Sequence, residues 1–341
     1  MTWQQKADAF LEKYLGELAE VELKLTTSYW RAANSGKKKD FDGYAAADLE
    51  LKKLHSSSQR FSQIQELLTH KDELNPLVQR SLTVAELDFR ENQLPKKILE
   101  KLAKLSAEIE QIFITFRGEF NGKKYSNNDL LEMLKKETDS SKRRIIWETL
   151  KQTGDAVGDR LLTLAKVRNE AAEKLGFQNY WDMQIRLQEH DPGQLLAIFA
   201  ELETFTAAPF KQLKEKIDAE LAERFNVPQE KIMPWHYDNP FFQAPPPSAQ
   251  VDLDEFYKDK KKEDIIRLAQ EFYAGIGLPA ENIVKQSDLY DREGKDQHAF
   301  CIDIDRGGDV RILTNNKPTV EWMDTTLHEL GHALYSAGID R

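Results

Sequence analysis

Cysteine is nearly absent from this chain: Cys301 is the only one in 341 residues. An internal disulfide is therefore excluded, and no oxidising compartment is implied. The residue reads as a small apolar side chain on a strand. Basic excess is missing too, since 48 lysines and arginines stand against 58 acidic residues for a formal net charge of -10. That balance argues against a nucleic-acid partner. The one basic cluster, Lys258 to Lys262, is flanked by Asp254, Glu255, Glu263 and Asp264 and reads as a solvated face. No apolar run approaches the length needed to span a bilayer, and Met1 to Leu11 lacks the apolar core of a signal peptide. The expectation is a cytoplasmic protein with no membrane partner. A secreted or periplasmic protein whose signal had been removed would read the same. There is no P-loop, no dinucleotide-binding glycine pattern and no Ser/His/Asp order. Hydrophobic residues still make up 40% of the chain, enough for the core of one large or two medium domains.

What is present is mostly helical pattern. Trp3 to Asn34, Tyr44 to His70 and Leu94 to Phe120 carry apolar residues at three- and four-residue intervals and predict a layer of long helical hairpins. Ser126 and Asp139-Ser140-Ser141 predict the starts of two further helices. Asp191-Pro192 opens another, which ends near Asn226-Val227-Pro228. Pro234 to Pro247, rich in proline and aromatics, cannot be one helix and reads either as a wall of a binding cleft or as a packed linker. His236 within it reads as a structural, hydrogen-bonding histidine. Strand character appears late: His298 to Ile304 and Asp309 to Leu313 alternate apolar and polar residues around Arg306-Gly307-Gly308, a hairpin pattern. Its edge would let an extended peptide add a strand, or the hairpin only covers a core.

The most informative stretch follows the hairpin. His328-Glu329-Leu330-Gly331-His332 spells H-E-x-x-H, which arises by chance in a chain of this length with a probability on the order of one per cent. Two histidines four apart share a helix face and can reach one zinc ion, while Glu329 is placed to serve as general base toward a water held there. The bland alternative is a surface helix with three solvated side chains. Against it stand Asn316-Lys317-Pro318 before the helix, Gly338 after it, and Val320, Met323, Leu327, Leu330 and Leu334 at helical spacing. Gly331, unfavourable inside a helix, predicts close approach of another backbone. Asp324 and Tyr335 share the helix, but spacing gives them no role. The expected division is a helical layer or lid over 1–125 and a catalytic region over 126–341, with strands in 298–313 and the zinc helix over 318–337.

The chain resembles the angiotensin-converting-enzyme family of zinc peptidases, with the thimet-type oligopeptidases and oligoendopeptidases as next of kin. Gln270-Glu-Phe-Tyr-Ala-Gly-Ile-Gly-Leu-Pro279, His298-Ala299, Gly308-Asp309-Val-Arg311-Ile312 and His328-Glu-Leu-Gly-His332 follow the family's order, and Leu164 to Met183 looks like a helix and turn shared by both groups. These motifs cover the second half; the first is similar in being helical. The resemblance implies a mainly α, two-lobed gluzincin-type fold with a small β-hairpin beside the zinc helix and a deep cleft for short peptides. It implies zinc on His328 and His332, with Glu329 catalytic. His298 would bond a substrate carbonyl, Ala299 would present its backbone to the peptide, and Gln243 would match a glutamine that binds the substrate's C-terminal carboxylate. The family places its glutamate ligand and oxyanion-stabilising residues downstream of Arg341. The expected activity is release of C-terminal dipeptides from short peptides. A thimet-like oligoendopeptidase, or an inactive peptide-binding portion that needs the remaining C-terminal segment of the protein as partner, are the alternatives.

Overall fold

The structure is a computed structural model that describes residues 1–242 and 253–339. Gln243 and the end of the proline-rich segment lie outside the described residues. Within them are α1 (Trp3–Ser35), α2 (Lys38–His55), α3 (Ser58–Thr69), α4 (Pro76–Glu91) and α5 (Lys96–Thr115), then a hairpin of β1 (Gly118–Phe120) and β2 (Lys123–Tyr125). Next come α6 (Asn127–Lys136), α7 (Ser140–Lys174), α8 (Tyr180–Leu187), α9 (Pro192–Phe225), α10 (Lys262–Gly275) and α11 (Glu281–Gln286). A second hairpin of β3 (Phe300–Asp303) and β4 (Val310–Leu313) leads into α12 (Val320–Ala337). The fold is mainly helical with a small antiparallel sheet before the last helix, as the sequence implies. No helix among the described residues is long and apolar enough to cross a membrane.

Two expected helices end elsewhere. The run from Tyr44 to His70 is two helices, because Ser57 breaks it and accepts a hydrogen bond from Arg60 N to cap α3. The run from Leu94 to Phe120 stops at Thr115, and Gly118 to Phe120 pairs as strand with Lys123 to Tyr125. Gly118 is required there, since a Cβ would stand 2.6 Å from Thr149 Cγ2. By contrast, α9 begins and ends as its residues dictate: Asp191 caps, Pro192 takes the first turn, and Asn226 closes it at φ 51°.

The chain forms two compact units that interleave along it, whereas the sequence reading divides it in chain order at 125/126. One comprises 1–115, 160–189 and 257–341; the other comprises 116–159 and 190–256. In the first, α1, α3 and α4 bury Phe10, Tyr14, Ile64, Leu82 and Phe89 against one another. A separate core joins α10, α11, the β3/β4 hairpin and α12 through Ala269, Ile283, Val310, Ile312, Leu330 and Ala333. In the second unit, Leu130, Leu134, Ile146 and Leu150 form the core. Arg143, fully buried, ties the start of α7 to the proline-rich segment through the Trp235 carbonyl and Asp238. His236 is structural as read: it sits 2.8 Å from Ser140 Oγ and accepts from Met233 N.

Candidate active site

The local sequence fixes the helix that carries the motif. Thr319 caps α12 by accepting from Trp322 N, so Pro318 stands one residue before the cap rather than in the first turn. Leu330 and Ala333 are buried and hold α12 on the β3/β4 hairpin and α10, which turns His328 and His332 outward on an exposed face. Glu329, 8% exposed, points inward. The two Nε2 atoms converge to 2.9 Å with the rings nearly perpendicular. Zinc–nitrogen bonds of about 2.0–2.1 Å at a tetrahedral angle set two nitrogens roughly 3.3 Å apart, so this pair is within a small side-chain adjustment of a shared ion. The donor set fits two of the ligands of a zinc site. Among the described residues no third His, Cys, Asp or Glu joins them.

Burial pushes the Glu329 carboxyl above the usual carboxylate range, against the pull of the His328, His332 and His298 imidazoles. His298, although 30 residues before His328, thus lies within electrostatic reach of Glu329. Cys301 on β3 faces Glu329 as well; burial first, then the charges of Glu329 and Asp303, push its thiol up to about 12. It packs among the apolar residues behind α12, as a small apolar side chain does.

The loop that delivers His298 is fixed at several points. Its backbone N donates to Asp296 Oδ1, Asp296 N donates to the Ala33 carbonyl at the end of α1, and Asn315 Nδ2 donates to the Asp296 carbonyl. Gly36 and Gly294 let the two backbones cross: a Cβ on Gly36 would stand 2.3 Å from the Gly294 carbonyl oxygen, and one on Gly294 would stand 2.7 Å from that of Ser35. Lys295, with no exposed surface, reaches the carbonyls of Asp288, Tyr290 and Thr314 and the Asp288 carboxylate. Asn316 then links loop to helix. Its Nδ2 donates to the Leu289 carbonyl and to Thr314 Oγ1, while Thr326 Oγ1 on α12 lies 2.6 Å from Asn316 Oδ1.

The hairpin pairs Phe300 with Leu313 and Asp303 with Val310. The far edge of β4 is taken by Asp288, whose N donates to the Ile312 carbonyl and whose carbonyl accepts from Thr314 N. Among the described residues the far edge of β3 carries no strand.

Sequence reasoning missed Lys295, Asn316, Thr326 and Tyr273. The last two had a signal: Thr326 lies one helical turn before Leu330, and Gly331 announced a close neighbour. That neighbour is the phenol of Tyr273, not a backbone. No curated protein matches the chain. The family model described as angiotensin-converting enzyme matches residues 1–338, which extends the likeness from the motifs of the second half to nearly the whole length, and the chain belongs to that family of metallopeptidases.

Proposed function

We propose that this peptidase is zinc-dependent and releases dipeptides from the C-termini of short peptides. The observation that carries the reading is the convergence of His328 Nε2 and His332 Nε2 beside the buried Glu329. His328 and His332 would hold the ion. When bound, zinc supplies a Lewis acid that polarises the scissile carbonyl and acidifies water. Glu329 takes the proton of the attacking water on its carboxylate and delivers it to the leaving amine, a task suited to a carboxyl held above its ordinary range. His298 donates a hydrogen bond to a substrate carbonyl, and Ala299 with the open edge of β3 pairs with the peptide main chain, which tolerates many side chains. Gln243 would receive the C-terminal carboxylate.

Mass spectrometry of a peptide ladder tests direction: free C-terminal peptides should lose dipeptides and their amides should react poorly. Internal cuts indifferent to amidation would instead support the oligoendopeptidase reading. Chelation should abolish hydrolysis, and zinc should bind near one equivalent.

A further inference from the structure

The zinc-site helix carries a notch, and one side chain fills it. Gly331 lies inside α12, where glycine is a poor helix former. A Cβ built there would stand 2.9 Å from Tyr273 Oη and meet nothing else within 4 Å. The same hydroxyl donates to the Leu327 carbonyl at 2.6 Å. That carbonyl is the one to which the Gly331 N–H belongs in a regular helix, and its second lone pair is free to accept the phenol. Tyr273 comes from α10, packed with the core behind α12.

We infer that Tyr273 is a positioning residue for the histidine pair: its hydroxyl enters the notch at Gly331, binds the Leu327 carbonyl and fixes the rotation of α12 about its axis. The two residues that it engages each immediately precede a histidine of the motif. Leu327 precedes His328, and Gly331 precedes His332. With side chains reaching about 6 Å from a helix axis, a turn of roughly 10° displaces each imidazole by about 1 Å. A displacement of that size is enough to spoil a metal or catalytic constellation. A tyrosine that only filled the core would not require a glycine opposite its hydroxyl. Nor would it place that hydroxyl on the backbone carbonyl that immediately precedes His328. The functional side of this inference rests on His328 and His332 as zinc ligands; the peg-and-notch contact does not.

The test is a double-mutant cycle on the full chain with Tyr273→Phe, Gly331→Ala and both together. It is read by urea unfolding and by Zn²⁺ titration followed through the ring ¹⁵N–¹H signals of His328 and His332. Gly331→Ala should lower the unfolding midpoint and weaken Zn²⁺ binding by roughly tenfold or more, because its methyl and the phenol oxygen compete for one space. Tyr273→Phe should weaken Zn²⁺ by a few-fold. The double variant should recover toward Tyr273→Phe in both readouts, since the new methyl occupies the place that the hydroxyl left. Additive losses in the double variant would overturn the lock. Unfolding midpoints that move while Zn²⁺ affinity stays at wild type would overturn the positioning role and leave only packing. Absence of any Zn²⁺ response in wild-type rings would overturn the metal reading and the positioning role with it, while the stability cycle would still decide the contact itself.

Discussion

At the scale of single residues, the site separates two kinds of ionisable group that sequence places side by side. His328 and His332 are exposed and free to turn toward a shared ion, whereas Glu329 between them is buried and holds its proton more tightly than an ordinary glutamate. The four-residue spacing of the histidines was legible in five letters of sequence, but which of the three side chains is buried was not, because that depends on how the helix is rotated against its neighbours. Replacing Glu329 by Gln keeps volume and hydrogen-bonding capacity but removes the proton acceptor. Turnover should fall by roughly 10² or more while zinc content stays unchanged, which metal analysis beside kcat would check. Full turnover in that variant would rule out the general base. Cys301 offers a second residue-scale test, because burial first, then the Glu329 charge, push its thiol up to about 12. Thiol reagents at pH 8 should label it far more slowly in folded than in urea-unfolded protein. Equal rates would mean that β3 does not pack as described.

Elements were legible where one residue decides them and obscure where two distant segments do. Asp191, Pro192 and Asn226 bound α9 from sequence alone, because caps and turns are local chemistry. The arrest of α5 at Thr115 was not legible, since the pairing of Gly118–Phe120 with the next strand competes with a helical pattern that continues through it. The His298 loop is the extreme case. Its position depends on Gly36 meeting Gly294 and on Lys295 reaching Thr314, contacts that no spacing encodes. Two glycines of one region therefore predict opposite outcomes. Gly36 has φ +63° and no room for a Cβ, so Gly36→Ala should destabilise the protein by about 2 kcal/mol or more through backbone strain and displacement of the loop. Gly16, inside α1 with nothing within 4 Å of a built Cβ, should stabilise when changed to Ala by roughly 0.5–1 kcal/mol. Urea unfolding of both variants checks the pair. A neutral Gly36→Ala would show that the crossing of the two backbones is not tight.

For the molecule as a whole, two groups of the first unit respond to acid in opposite directions. His55 ends α2, 3.0 Å from Tyr14 Oη and against Phe89; burial first, then the Lys52 charge, lower its pKa from 6.5 to about 4. Its folded form binds fewer protons than its unfolded form between those values, so stability that is present above about pH 6.5 is lost as pH falls toward 4. A shift of that size corresponds to about 3 kcal/mol. Asp88 has its carboxyl raised to about 6 by burial, then by Glu91 and Glu22. Its sign is reversed: stability is present below about pH 3.8 and is lost as pH rises through 6, by an amount that solvent screening of this exposed residue reduces. Wild-type protein should therefore lose less on acidification to pH 4.5 than His55 alone dictates, and the two substitutions should part in a definite way. His55→Gln removes the group that must take up a proton, so its stability relative to wild type should rise as pH falls from 7 to 4.5. Asp88→Asn removes the group that gains from acid, so its relative stability should fall over the same interval. Urea midpoints at pH 7 and 4.5 for the three proteins decide it. A His55→Gln difference that does not change with pH would mean that His55 is solvated in the folded chain, contrary to its place between Tyr14 and Phe89.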